Sequence, residues 1–184
     1  SRKSEILVLM PILLDYIKLM NEKYTDMTYV FHSTREYSDL IQSFINESGL
    51  SNCEIVSDDK IKNHILQKSV FAVAKSGTVS LEISNAKIPS IILYKMGFIN
   101  FMIVKSLVKT KYANIINFAA NEEIIPELLQ SNCNSKNIFK HVSNFLEDPN
   151  KIKEQVNKVQ NVLNKLKTNG SSSELASLSL NKFL

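Results

Sequence analysis

Short runs of β-branched and aromatic residues alternate along this chain with longer stretches of helical period, and that alternation restricts its fold more than any other feature. Residues 6–20 repeat apolar side chains at helical spacing and end before the turn-like Tyr24, Thr25 and Asp26. A short strand is expected at 28–32, then a helix from about 36 to 47 that stops at Gly49, then a strand at Glu54, Ile55 and Val56. Asp58 or Asp59 can cap a helix through Gln67, which leads to an apolar strand at Val70, Phe71, Ala72, Val73 and Ala74. Lys75 stops that strand, Ser76, Gly77 and Thr78 open a helix, Pro89 ends it, and residues 90–94 run into the next strand. Strands alternating with helices of this length imply right-handed crossovers, hence an α/β fold: a Rossmann-like parallel sheet with helices on both faces. Ligands of such sheets sit outside the carboxyl ends of the strands, where the turn after Ala74 lies.

Downstream, residues 98–108 are too short to span a bilayer yet very apolar, and read either as a core helix or as an interfacial patch. Residues 114–118 read as a further short strand and loop, and residues 124–130 as a short helix. Another helix is expected from Ser135 or Lys136 to Leu146, and a third from about Lys151 to Lys167. The expected organisation is one domain over 1–167, followed over 168–184 by a break (Gly170, Ser171, Ser172, Ser173) and an apolar tail helix at 174–184 that needs a partner surface.

A chain of 184 residues can bury a proper core, and 44% hydrophobic with 22% charged residues is ordinary globular composition. The net charge of +4 hints at anionic partners, but 20 of the 22 bases are lysines scattered along the chain without interleaved aromatics, so no nucleic-acid surface is expected. Arg2 and Arg35 are the two arginines, and a chain that otherwise uses lysine can keep arginine where a planar fork is needed, so Arg2 is a candidate ligand contact, the plainer alternative being a solvated residue near a terminus. Cys53 and Cys133 are far apart and have no histidine at metal spacing, which points to a reducing compartment with neither a zinc site nor a disulfide framework. No signal peptide is read at the start, and a chain opening on Ser1 and Arg2 is expected of a piece of a longer protein.

The residues favour binding over nucleophilic or acid-base chemistry. His32, His64 and His141 lie on separate elements, none beside a Ser or Cys in a catalytic arrangement, and are expected to be ordinary structure. Ser76, Gly77 and Thr78 are not followed by the lysine of a Walker loop, and no G-x-G-x-x-G occurs. What remains is a turn whose hydroxyls and helix-start amides can receive phosphate. Glu82, one helical turn beyond Thr78, can accept from two vicinal ribose hydroxyls. The plainer alternative is that Ser76 merely caps the helix and Glu82 is solvated.

Residues 75–94, then Leu107, Val108, Lys109, Thr110, Lys111 and Tyr112, then Asn117 with Glu123, Ile124, Ile125, Pro126, Glu127, Leu128, Leu129 and Gln130 resemble, in that order, the carboxyl-terminal half of lipid-A-disaccharide synthase. Ser1, Arg2, Glu5 and Ile6 resemble the end of that family's P-G-S-R-x-x-E-I motif, and the likeness extends from residue 1 to about 167. It implies the donor-binding half of a two-domain GT-B glycosyltransferase, an inverting hexosyltransferase. Such an enzyme joins UDP-2,3-diacylglucosamine to 2,3-diacylglucosamine 1-phosphate in lipid A biosynthesis, with no metal or other cofactor. The acceptor-binding half, to which the family assigns its glycine-rich loop and general base, lies outside the matched region, so no catalytic residue is expected here. The resemblance also implies a cytoplasmic protein peripheral to the inner face of the bacterial inner membrane, and a homodimer that exchanges its carboxyl-terminal helices.

Carried over by position, Arg2 would reach the UDP phosphates, Ser76, Gly77 and Thr78 would cradle them, and Glu82 would hold the ribose. The spacing from Glu82 to Pro89 also resembles that of the peptidoglycan glycosyltransferase using UDP-N-acetylglucosamine. Asn117 matches the asparagine of the family's L-P-N-x-x-A-G-R segment and would be a further donor contact. In that segment Ile116 stands for the proline, Asn121 for the glycine and Glu122 for the arginine. The last exchange puts an acid where the family has a cation, which would weaken phosphate binding if that cation acts there. A non-catalytic nucleotide-sugar-binding or dimerisation fragment from a split gene is the alternative, and the donor domain of another GT-B enzyme such as a UDP-GlcNAc epimerase is a third.

Overall fold

The structure, a computed structural model, describes residues 3–95 and 111–168. Arg2, the apolar 98–108 segment, the 107–110 part of the motif, and the expected break and tail helix lie outside the described residues. In chain order the elements are α1 (Lys3–Lys23), β1 (Tyr29–His32), α2 (Ser38–Ser48, after a 3-10 turn at Arg35–Tyr37), β2 (Cys53–Val56), α3 (Asp59–Lys68), β3 (Ala72–Lys75) and α4 (Thr78–Asn85). They continue as β4 (Ser90–Tyr94), α5 (Ile115–Ala120), β5 (Glu127–Leu129), a 3-10 turn at Gln130–Asn132, α6 (Ser135–Leu146) and α7 (Pro149–Thr168).

Every strand pairing is parallel, as the intervening helices require. β1 pairs with β2, Tyr29 opposite Cys53, while β3, β4 and β5 form a second sheet with Ala72 opposite Ser90 and Ile92 opposite Glu127. Side-chain alternation divides the three-stranded sheet between two cores. Ile91 and Leu93 of β4 and Leu128 of β5 face α1 and α6, joining Leu9, Ile17, Met20, Ile138, Val142 and Phe145, with Val73 packed against them. Ile92 and Ala74 face the other way, toward Ile83 of α4, Ile116 of α5 and Val159, Val162 and Leu163 of α7. Both faces of β4 are covered, and Ile91, Ile92 and Leu93 are almost wholly buried, which is why this strand reads as one continuous apolar run. Tyr29, Phe31 and Cys53 of the first sheet pack against the α1 and α6 core, so the two sheets share it. A second stripe of α1, Ile6, Met10 and Leu14, meets Ile41 and Ile45 of α2.

Two expected elements are corrected. Residues 114–118 are not strand and loop: Asn114, at φ −94° and ψ 137°, accepts from the Ile116 amide at 2.8 Å and caps α5, which Asn121 ends in the left-handed conformation at φ 51°. The cap overrides the strand preference of Ile115 and Ile116. Residues 124–130 are not a helix. Pro126 offers its carbonyl to the Ile92 amide at 2.9 Å, and Glu127–Leu129 then adds β5 to the sheet, burying Leu128. Three residues are too few to show the alternation that identifies a strand.

Candidate functional site

The turn that follows β3 is shaped by its glycine. Gly77 stands at φ 151° and ψ −168°, a backbone region closed to residues with a Cβ. A methyl group added there would meet nothing within 4 Å, so the requirement is for the conformation and not for space. Ser76 does not cap the helix. Its Oγ donates to the Ala113 carbonyl at 2.7 Å, latching the turn to the loop that enters α5. No side chain caps the start of α4, and Ser80 turns its hydroxyl back onto the Gly77 carbonyl at 2.6 Å. The opening amides of α4 therefore point outward beside the carboxyl end of β3, where a helix receives anions.

Helical spacing sorts the rest of α4 into two sides. Ser80, Ile83 and Ser84 are buried against the sheet and α7, whereas Gly77, Thr78 and Glu82 are exposed on one stripe. The helix ends before Pro89, by a Schellman turn: Lys87 takes φ 60°, its amide donates to the Ser84 carbonyl, and Ile88 N–H reaches the Ile83 carbonyl. Glu82 Oε2 lies 2.8 Å from Lys62 Nζ, which comes from α3. At the end of β3, Lys75 Nζ meets Glu5 Oε1 of α1 at 2.5 Å, tying the first turn of α1 to the strand that carries the candidate turn.

Asn117 stands behind this surface, fully buried. Its Oδ1 accepts from the Ile124 and Ile125 amides, both at 2.9 Å, and its Nδ2 donates to the Ile125 carbonyl at 2.6 Å and to Glu127 Oε1 at 2.8 Å. Those four bonds use the whole capacity of the amide. Glu127 also accepts from the Ala113 amide at 2.7 Å and the Asn114 amide at 3.0 Å. One carboxylate thus fixes the segment that holds Ser76.

The three departures in the 116–122 segment have local accounts. Ile116, unlike a proline, has an amide hydrogen, and Asn114 takes it. Asn121 adopts the left-handed conformation that glycine takes most readily and asparagine tolerates. Glu122 pairs with Lys158 of α7 at 2.8 Å. It lies two residues past the end of α5, whereas Ser76 meets the Ala113 carbonyl ahead of the start of that helix. Its carboxylate is met there by Lys158, which in turn reaches Glu154.

Of the residues singled out from the sequence, Ser76, Gly77, Thr78 and Glu82 come together, Asn117 lies behind them, and Arg2 is outside the described residues. Lys62 and Glu127 were missed. Nothing in the spacing of either to the turn betrays a contact that depends on which helices and strands become neighbours. His64 is exposed, and His141 is half-buried on α6, where burial holds its imidazole below the ordinary range. Among the described residues no three His, Cys, Asp or Glu side chains are grouped to hold a metal ion.

Comparison with known proteins bears on this arrangement. The family model described as lipid-A-disaccharide synthetase matches residues 1–180. The lipid-A-disaccharide synthase of Rickettsia prowazekii is 35% identical over 179 residues, covering 96% of this chain and 46% of that protein. That of a Sulfurihydrogenibium species is 31% identical over 186 residues, covering 97% and 48%. The chain spans about half the length of these relatives. Among solved structures, the C-terminal domain of a glycosyl transferase group 1 family protein from Francisella tularensis superposes with a TM-score of 0.57 at 14% identity, over 90% of this chain and 80% of that one. A chain described as a UDP-N-acetylglucosamine 2-epimerase, from Listeria monocytogenes, gives 0.58 at 14% identity over 91% and 43%. At such identity the likeness is one of fold, that of the carboxyl-terminal half of a GT-B glycosyltransferase. With a family model matched over 180 of its residues, the chain belongs to the lipid-A-disaccharide synthetase family.

Proposed function

We propose that this chain is the donor-binding half of an enzyme that transfers 2,3-diacylglucosamine from UDP-2,3-diacylglucosamine to 2,3-diacylglucosamine 1-phosphate, inverting the anomeric centre and releasing UDP. The observation that carries the proposal is the uncapped start of α4. Gly77 holds a glycine-only conformation, Thr78 and Glu82 share one exposed stripe, and all three stand at the carboxyl end of a parallel strand. The diphosphate is received by the helix-start amides and the hydroxyl of Thr78, where they stabilise charge as it develops on the leaving group. Glu82 accepts from the ribose hydroxyls. Arg2 contributes a guanidinium to the phosphates, a role supported by the tie between Glu5, three residues on, and Lys75, the residue before Ser76. Asn117 and Glu127 act at one remove, by holding the 113–117 segment onto which Ser76 latches.

The acceptor sugar and the general base belong to a second domain facing this crevice. Acylated substrates put the assembled enzyme at the cytoplasmic face of the inner membrane, and a tail carrying Leu175, Leu178, Leu180, Phe183 and Leu184 suits exchange with a second copy. The direct test is a titration of the isotope-labelled chain with UDP. Amide resonances of Gly77, Thr78 and Glu82 are expected to move together and saturate, and unmoved resonances at saturating UDP would overturn the donor-site assignment.

A further inference from the structure

We propose that Lys62 is the positioning residue for Glu82, holding its carboxylate at the edge of the crevice so that it accepts from the two vicinal hydroxyls of a nucleoside diphosphate. This rests on the ribose role given to Glu82 above and adds to it a residue from a different helix. Asp58 caps the start of α3, its carboxylate 3.4 Å from the Ile61 amide and its carbonyl accepting from the Lys62 amide at 2.9 Å. That fixes the first turn of α3 and directs Lys62 across to α4, where Nζ meets Glu82 Oε2 at 2.8 Å. The two partners are unequally buried: the lysine side chain is 14% exposed and the glutamate side chain 44%. A lysine so withdrawn from water is normally paired. The exposed member is the carboxylate, on the same stripe as Thr78 and Gly77.

An exposed glutamate has three side-chain torsions to immobilise before it can receive two hydroxyls at once. Lys62 fixes one oxygen, and a diol then meets a carboxylate already oriented, the preorganisation that strengthens binding without any new ligand contact. The ammonium acts through Glu82, whose Oε2 it meets at 2.8 Å.

The test compares UDP with 2′-deoxy-UDP and with inorganic pyrophosphate, by calorimetric titration of the full chain and its variants. The unaltered chain is expected to favour UDP over 2′-deoxy-UDP by about tenfold, the size of one charge-assisted hydrogen bond. In Lys62→Met the ratio is expected to fall to about twofold or less through weaker UDP binding, with pyrophosphate affinity unchanged. Lys62→Arg, which keeps a cation beside Glu82, should recover most of the ratio, and Glu82→Gln added to Lys62→Met should change nothing further. Should Lys62→Met melt below the assay temperature, Lys62→Gln is scored by the same ratio. A folded Met or Gln variant that keeps the full ratio, or binds UDP more tightly, overturns the positioning role. If the unaltered chain itself shows no preference while Gly77 and Thr78 still respond to UDP, the ribose role of Glu82 falls and the role of Lys62 with it.

Discussion

Four hydrogen bonds converge on the side chain of Asn117, and their partners are the chain's own backbone at Ile124 and Ile125 and the carboxylate of Glu127. Glu82 is the opposite case, with 44% of its side chain exposed and Lys62 as its ion-pair partner. A buried amide whose partners are all protein groups stabilises the fold, whereas an exposed carboxylate beside helix-start amides is available to a ligand. Asn117→Ala is therefore expected to destabilise the chain by about 3 kcal/mol, since it strands the buried Ile125 amide and carbonyl and takes one of two acceptors from the Ile124 amide, which also donates to the Glu122 carbonyl at 3.1 Å. Glu82→Gln is expected to cost less, about 1–2 kcal/mol, because the glutamate side chain is 44% exposed and the amide leaves an oxygen beside the withdrawn Lys62. Denaturant unfolding of both variants checks the contrast, and equal losses would contradict the division of roles. The sequence displays both residues equally well as polar groups at motif positions. What separates them is burial, and for Asn117 that burial depends on β5 joining the sheet ten residues further on.

Among the elements, α4 was legible from its residues and β5 was not. A strand stopping at Lys75, a glycine and a threonine, and a proline at 89 mark both ends of α4, because each signal is local to the backbone it governs. The structure refines the end, where Lys87 and Ile88 close a Schellman turn ahead of the proline. β5 has three residues, a proline before them and no visible period, and it exists because the edge of β4 is there to pair with. α5 failed as an expectation for the related reason that two consecutive isoleucines favour a strand, while its cap, Asn114, is a residue equally at home in turns. The α4 turn also makes the sharper prediction. Gly77→Ala is expected to cost about 1–3 kcal/mol although the new methyl meets nothing within 4 Å, because φ 151° with ψ −168° is strained for alanine. The thermal midpoint should fall and UDP-induced shifts at Thr78 should weaken together. A variant of unchanged stability would show that the turn relaxes to another conformation at no cost.

On the function proposed above, the whole molecule supplies one wall of a crevice. The parallel strands β3, β4 and β5 end on the side that carries Ser76, Gly77 and Thr78, and α1 is tied to that same edge through Glu5 and Lys75. Amides at a helix start, a hydroxyl and a carboxylate can hold a nucleoside diphosphate, but holding substrate and transition state alike gives no acceleration. Transfer further needs an acceptor hydroxyl held within about 3–3.5 Å of the anomeric carbon and a base to take its proton, and positioning of that kind is worth several powers of ten in rate. The chain spans about half the length of its curated relatives, and its three histidines lie on three separate elements, β1, α3 and α6. Incubated with UDP-2,3-diacylglucosamine and 2,3-diacylglucosamine 1-phosphate, the chain alone is expected to bind donor and to form no disaccharide above the uncatalysed background. Adding the separately produced amino-terminal half of the Rickettsia prowazekii enzyme, the relative at 35% identity, is expected to restore transfer if the two halves associate. A scan of product against the concentration of that half then reports the affinity of the two domains for each other. Turnover by the chain without any partner would overturn the assignment of this fold to one half of the reaction, because acceptor and base would then have to be held by the wall described here.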